Sequence, residues 1–180
     1  LVTNGHINEA PLKELIPDID AMNIDVKSFS HEFYGKVCSG KLKPVLRTAE
    51  LAREAGCHIE ITNLLIPGLN DSEDDIMKLV SWIREVLGDA TPVHFSRYYP
   101  AYKFTEPPTP VATLRKAAEI AREKLKYVYL GNIPGAEGRD TLCYQCGNTV
   151  IKRSLFGATG LELKDSRCLY CGAPIHVIQP

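Results

Sequence analysis

The spacing of hydrophobic residues along the chain predicts strands that alternate with helices. Continuous apolar runs between turn residues predict strands at 21–26, 57–66, 93–98 and 127–130. Between them, apolar residues recur every three or four positions, as in helices with one buried face. These helices are expected to begin at the capping or first-turn residues Asn8, Ser30, Pro44, Ser72 and Thr109. Residues 1–5 resemble the end of a strand that runs into a turn.

Strands that alternate with helices predict an α/β fold with parallel strands and right-handed crossovers. The pattern alone fits both a doubly wound sheet and a β/α barrel. In either architecture, functional side chains lie at the carboxyl ends of the strands, where the βα loops converge. The glycine-rich segment 131–138 predicts a linker, so we expect an α/β part at 1–135 and a separate tail at 136–180.

Composition limits the classes of partner that the chain is expected to have. The 180 residues carry a formal net charge of −1, with 21 basic and 22 acidic side chains, which gives no electrostatic signature of nucleic-acid binding. Every apolar run is shorter than the roughly 20 residues that span a bilayer. The sequence therefore predicts a cytoplasmic protein that binds neither nucleic acid nor membrane.

Two matching motifs in the tail predict a metal site. Cys143 and Cys146 form one Cys-x-x-Cys-Gly motif and Cys168 and Cys171 form the other, about 20 residues apart, as in zinc ribbons. Each motif turns two sulfurs toward one side of a tight loop, and two such turns complete a tetrahedron. Zinc is favoured over iron because the site needs no redox role. The alternatives are an auxiliary iron centre, a pair of disulfides or four idle thiols. Cys38 and Cys57 are predicted to be inert core thiols.

Polar residues interrupt the apolar strands near their predicted carboxyl ends. Asp25 and Lys27 are two positions apart, so on an extended strand both side chains point to the same face. A carboxylate beside an ammonium offers acceptors and donors to a zwitterionic or hydroxylated ligand, although the pair could equally be a structural salt bridge. Thr62 and Asn63 interrupt the next strand close to its end. Tyr98 and Tyr99, which offer flat surfaces to a heterocycle, begin a long irregular loop at 98–110 that is typical of binding loops. His94 is interpreted mainly as a strand residue.

Four short motifs, taken in their order and spacing, resemble those of radical S-adenosylmethionine enzymes, and in particular the group of pyruvate formate-lyase activating enzyme. They are Thr3–Gly5, Asn23–Lys27, Leu65–Asp71 and His94–Pro100. The loop at 100–103, the segment 131–135 and the two cysteine motifs are further similar to the AmmeMemoRadiSam-system enzymes. The resemblance covers essentially the whole chain.

This resemblance implies a partial β/α (TIM-like) barrel fragment with a zinc-ribbon-like tail. It implies a 4Fe-4S cluster with S-adenosylmethionine bound at its unique iron, and reductive cleavage to a 5′-deoxyadenosyl radical that abstracts hydrogen. In activases the substrate is a partner protein, and a flavodoxin or ferredoxin is the implied reductant. The residues that correspond by motif to cofactor contacts are Thr3, Asn4, Asp25, Lys27, Thr62, Leu64 and Tyr99.

Two departures from the family pattern shape these expectations. Residues 1–180 lack the three-cysteine motif that holds the radical cluster and the glycine-rich motif that holds the methionine amine. The four tail thiolates would close a metal site, whereas a radical cluster keeps one iron open. The chain is therefore expected to be a fragment, inactive alone. Val2 replaces an aspartate that helps activases to bind a cation, so we expect no cation there.

The residues are also compatible with two other hypotheses of function. A lysine at a strand end inside an apolar pocket suits a Schiff-base enzyme, which would make Lys27 the nucleophile of an aldolase-like barrel. Alternatively, the barrel is a noncatalytic scaffold and the cysteine-bearing tail docks a partner.

Overall fold

The computed structural model describes residues 1–135, 137–154 and 157–177. Within residues 1–135, strands alternate with helices. The strands are β1 (Val2–Thr3), β2 (Ala21–Asp25), β3 (His58–Leu65), β4 (Val93–Arg97) and β5 (Val128–Gly131). The helices are α1 (Glu9–Leu15), α2 (His31–Lys36), α3 (Leu42–Glu54), α4 (Glu73–Trp82) and α5 (Val111–Arg122). A 3-10 turn (Ile16–Asp18) follows α1, and a π-helical turn (Ile83–Leu87) extends α4.

The predicted capping residues act in three different ways. Ser30 and Ser72 accept hydrogen bonds from the backbone amides of the third helical residues of α2 and α4. Asn8 occupies the position before α1, but its side chain makes no capping bond. The sequence predicts that Thr109 and Pro110 together cap α5; Pro110 occupies the cap position, whereas Thr109 lies before it and does not cap the helix. The buried Thr109 hydroxyl instead accepts from the Tyr98 amide and donates to the Leu65 carbonyl, which anchors the long loop to β3.

Five parallel strands form one sheet in the order β1-β2-β3-β4-β5. Each strand pairs with the next one along the chain, whereas a doubly wound sheet reverses direction at a switch point. Successive right-handed crossovers in one direction place all the connecting helices on the same face. The strand order therefore selects the barrel-like arrangement that the sequence pattern alone left open.

The two faces of the sheet differ in chemistry. Ile59, Ile61 and Leu65 of β3 point toward the helices and are buried in the main core. The alternate residues form what we call the helix-free face, which is half-buried and mostly polar. It carries Asn23, Asp25, Glu60, Thr62, Leu64, His94, Ser96 and Tyr129. A polar face opposite an apolar one indicates that the sheet covers a ligand-accessible space rather than a second apolar layer.

The C-terminal tail, residues 137–177, is a small antiparallel unit. Its strands are β6 (Thr141–Leu142), β7 (Thr149–Ser154), β8 (Gly157–Leu161), β9 (Leu163–Lys164) and β10 (Arg167–Cys168). A second core joins the tail to the residue before β5, because Tyr127 packs among Cys143, Val150 and Ile175. The predicted domain boundary lies between residues 135 and 136. Residue 136 lies outside the described residues, as do residues 178–180.

A glycine connects the edge of β5 to the tail. The Leu130 amide donates to the Gly138 carbonyl at 2.9 Å, so the tail covers the last strand of the sheet. Gly138 has φ of +73°, and an added Cβ would lie 2.6 Å from Leu130 Cβ. Both the backbone conformation and the close contact therefore require glycine at this position.

We expect Gly138→Ala to lower the free energy of unfolding by about 2 to 4 kcal/mol, through left-handed strain plus a steric clash. Gly135→Ala is the matched control, since Gly135 has φ of +85° with no atom near its would-be Cβ. That control should lose only the strain, about 1 to 2 kcal/mol. Urea unfolding of both variants measures the difference, and equal losses would show that the Leu130 contact is unimportant.

Candidate functional site

Asp25 and Lys27 form an ion pair at the carboxyl end of β2. The Lys27 ammonium lies 2.6 Å from Asp25 Oδ2, and the two side chains are about one-third exposed, at 33% and 28%. The pair is therefore accessible from the helix-free face while it is partly shielded from solvent. The geometry joins the two residues that the sequence predicted to face one pocket.

The backbone of Lys27 is held by buried polar groups. Its amide donates to the Tyr34 hydroxyl at 3.0 Å, and its carbonyl accepts from the side-chain amides of Asn63 and Asn70. Burial raises the pKa of Tyr34 to about 12, so this phenol stays neutral. Sequence reasoning assigned no role to Asn70 and placed Asn63 only near the strand end. The available signal was Asn63, a polar residue in an otherwise apolar strand.

Thr62 and Leu64 follow on the helix-free face of β3. Thr62 pairs in register with Asp25, and its hydroxyl donates to Asn23 Oδ1 at 2.7 Å. Leu64 is the next residue on the same face and is half-buried. The structure thus brings Asp25, Lys27, Thr62 and Leu64 together across two adjacent strand ends.

Thr3 and Asn4 have a different environment. The Thr3 hydroxyl accepts from the Gly5 amide and Asn4 Oδ1 accepts from the His6 amide, so both side chains shape the turn after β1. Val2 pairs in register with Asn23 and is 81% exposed. Its side chain offers no oxygen ligand.

Tyr99 lies across the ends of β4 and β5. The Arg97 guanidinium donates to the Tyr99 hydroxyl at 2.9 Å and sits 4.7 Å from its ring centroid. The same hydroxyl donates to the Asn132 carbonyl. The ring is 46% exposed, whereas neighbouring Tyr98 is buried and cannot offer a flat surface to a ligand.

A charged cluster occupies the helix-free face below these strand ends. Glu60 Oε2 lies 2.6 Å from His94 Nε2, and Glu60 Oε1 lies 3.3 Å from His58 Nε2. Hydrogen bonds from His58 and then His94 hold the pKa of Glu60 far below its usual value, and the bond to Glu60 raises the pKa of His58. His94 stacks on Tyr129 at 4.9 Å. His94 is therefore part of a network that its position in the sequence did not reveal.

The four tail cysteines converge on one point. Their sulfurs all lie within 4.8 Å of one another, with Cys143 to Cys171 at 3.6 Å and Cys146 to Cys168 at 3.8 Å. Disulfide sulfurs are bonded at about 2.05 Å. Tetrahedral zinc with Zn–S bonds of about 2.3 Å requires sulfurs about 3.8 Å apart. The spacing matches a shared metal ion and not a pair of disulfides.

Local hydrogen bonds act on the sulfurs of both cysteine motifs. The backbone amide and the side chain of Asn148 donate toward the Cys146 sulfur, and they lower the pKa of Cys146 to about 6. The Ala173 backbone amide lowers the pKa of Cys171, but desolvation and the neighbouring thiols outweigh it and raise that pKa to about 12. Gly147 and Gly172, which follow the second cysteine of each motif, have φ of +73° and +75°, a conformation that favours glycine.

Comparison with known proteins relates the chain to radical SAM proteins. Residues 1–80 match the family model described as the Radical SAM superfamily. The chain is 46% identical over 182 residues to the uncharacterized protein MJ0808 of Methanocaldococcus jannaschii. That alignment covers 99% of this chain and 54% of the relative, so the chain spans about half the length of this curated relative.

Solved structures of radical SAM proteins share the fold. A domain of pyruvate-formate lyase-activating enzyme from Bacteroides vulgatus aligns with a TM-score of 0.63 at 17% identity, over 72% of this chain and 79% of that chain. A radical SAM methyltransferase from Sphaerobacter thermophilus aligns with a TM-score of 0.55 at 17% identity, over 74% of this chain and 40% of that chain. The chain therefore has the α/β fold of radical SAM enzymes, with a four-cysteine cluster near its C-terminus. In the described residues, no helix combines the length and apolar character needed to cross a membrane.

Proposed function

We propose that this chain is the later part of a radical S-adenosylmethionine enzyme, and that the strand ends of its helix-free face hold the cofactor. The observation that carries the proposal is the Asp25–Lys27 pair at the exit of β2. Both residues lie inside the segment that matches the superfamily. A shared fold alone would not carry the proposal, because one fold supports many functions.

The donor groups at this site fit the polar parts of S-adenosylmethionine. Lys27 would hold the methionyl carboxylate, while Asp25 would accept from the amine or a ribose hydroxyl. Thr62 and Leu64 would meet ribose and adenine, and Thr3, Asn4 and Tyr99 would border the site. Beyond His94, Ser96 and Gly131 pair in register, so β4 and β5 carry no large side chain in the row that Leu64 of β3 begins. When bound and reductively cleaved, the cofactor supplies a 5′-deoxyadenosyl radical for hydrogen abstraction.

The residues of this chain do not fit the radical 4Fe-4S cluster. The cysteine group found among the described residues offers four thiolates, which would close a metal site. We propose that the radical cluster is bound by cysteines outside residues 1–180, and that the tail holds structural zinc. On this account a flavodoxin or ferredoxin donates the electron, a protein is the substrate of an activase-like, AmmeMemoRadiSam-type reaction, and the enzyme is cytoplasmic.

The geometry disfavours a Schiff-base role for Lys27. Lys27 Nζ is held by Asp25 Oδ2 at 2.6 Å, whereas a Schiff-base lysine must present its nitrogen to the substrate carbonyl. Calorimetric titration of the complete, cluster-loaded polypeptide that contains these residues with S-adenosylmethionine tests the proposal, with borohydride trapping in the presence of pyruvate as the competing assay. Saturable cofactor binding without trapping supports the proposal. Covalent labelling of Lys27, or the absence of cofactor binding, would contradict it.

A further inference from the structure

A recess lined by two guanidinium groups, neither of which has an anionic partner among the described residues, opens on the helix-free face beside the proposed cofactor site. It measures about 230 Å³, and its lining includes Glu60, His94, Tyr129, Leu130, Arg139 and Arg153. Strands β3, β4 and β5 supply one wall and the tail supplies the other. The recess therefore exists only because the tail docks on the edge of β5.

Neither arginine of the recess has an anionic partner among the residues that the structure describes. Arg139 is half-buried and forms no hydrogen bond or ion pair with any of residues 1–135, 137–154 and 157–177. The exposed Arg153 side chain makes a long 3.4 Å contact to the Thr141 hydroxyl, is hydrogen-bonded to Tyr129 and lies 5.9 Å from the Tyr129 ring centroid. A cation held partly out of water without a counter-charge is costly, so Arg139 favours an anion in the recess, and Arg153 supplies a second positive charge to the same recess.

The nearby carboxylates are already engaged. Both oxygens of Glu60 are bonded, one by His58 and one by His94. Asp140 accepts from the Arg153 backbone amide, at 2.8 Å, and does not line the recess. The guanidinium groups of Arg139 and Arg153 therefore remain available to a ligand in the recess. A guanidinium group binds carboxylate and phosphate oxygens in bidentate geometry.

The recess is within reach of the proposed cofactor site. Asp25, Thr62, His94 and Tyr129 form one register row across four strands. At about 4.8 Å per strand, His94 lies roughly 10 Å from Asp25 on the same face. A ligand anchored by its anionic group in the recess would extend toward the cofactor site.

We propose that Arg139 and Arg153 bind a carboxylate or phosphate group of the substrate. The identity of this ligand as substrate rests on the proposed function, whereas binding of an oxyanion does not. The tail would then form part of the substrate site, because it supplies both arginines.

Titration of residues 1–180 with inorganic phosphate and with acetate, at constant ionic strength, tests the inference by the NMR shift of the Tyr129 amide. Saturable binding of either anion is expected, and the tighter anion distinguishes a phosphate-bearing from a carboxylate-bearing substrate. Arg139→Gln and Arg153→Gln should each weaken binding roughly tenfold or more. Arg139→Lys should weaken it less, because it keeps the charge.

Arg84→Gln is the matched control, since Arg84 is exposed on the π-helical turn and its loss changes the net charge equally. It should leave anion affinity within about twofold, because surface charges act weakly at a distance. No shift with either anion, or equal weakening by the Arg84 variant, would overturn the inference. Cofactor titration of the complete, cluster-loaded polypeptide is independent of anion binding, so loss of one binding event without the other shows which proposal fails.

Discussion

Cys143→Ser should release the tail metal and unfold residues 137–177, while the five-stranded sheet remains folded. The tail has a second core of only a few residues, so the metal is expected to supply most of its stability. Structural zinc contributes on the order of 10 kcal/mol in small domains. We expect metal content to fall from one equivalent to near zero, with loss of the near-ultraviolet signal from Tyr127 and Tyr144, which contact each other edge to face.

Cys38→Ser is the control for this change, because Cys38 lies outside the four-sulfur group and is exposed, so the prediction of a core thiol is wrong for Cys38 and is confirmed for the buried Cys57. It should retain one equivalent of metal and resist proteolysis as the unmodified chain does. Chelation should reproduce the Cys143→Ser result, and added zinc should reverse it. A variant that loses metal but keeps a protease-resistant tail would contradict the structural role. A large excess of iron over zinc would contradict the choice of metal.

Lys27→Met should raise the dissociation constant for S-adenosylmethionine by roughly 10 to 100-fold, since one charge-assisted hydrogen bond to the methionyl carboxylate is lost. Asp25→Asn should have a similar effect through the amine or ribose. Stability should change little, because the pair is about one-third exposed and such pairs contribute at most about 1 kcal/mol. Calorimetric titration measures the affinity, and thermal unfolding measures the stability.

Lys36→Met provides the comparison, because Lys36 pairs with Glu32 at 2.7 Å on the exposed surface of α2. It removes a lysine from an ion pair of similar length without touching the helix-free face. We expect unchanged cofactor affinity in this variant. If Lys27→Met binds the cofactor as well as Lys36→Met does, Asp25 and Lys27 form only the structural salt bridge that the sequence left open.

The order of strands and helices could be predicted from sequence because it depends on local signals. Apolar runs ending in turn residues located β2 and β3 within a residue of their observed ends, and the cysteine spacing located the four-sulfur group. Strand order could not be predicted in this way. Doubly wound and barrel-like sheets use the same local patterns, and only the pairing of each strand with its successor separates them.

The polar network of the helix-free face could not be predicted from the sequence, for a different reason. Glu60, His94 and Tyr129 lie on three strands, and their contact depends on the register between those strands. Thr109 shows the same limit, because a residue with good capping chemistry has a buried long-range partner instead. Residues whose roles depend on contacts distant in sequence require the three-dimensional structure.

Production of 5′-deoxyadenosine tests the central claim most directly. The complete polypeptide that contains these residues would be reconstituted anaerobically with iron and sulfide, and then supplied with S-adenosylmethionine and dithionite. We expect 5′-deoxyadenosine and methionine in equal amounts, with Lys27→Met reducing the rate at subsaturating cofactor and Lys36→Met leaving it unchanged. Absence of 5′-deoxyadenosine from a cluster-loaded sample, or equal rates for Lys27→Met and Lys36→Met, would contradict the proposed cofactor site.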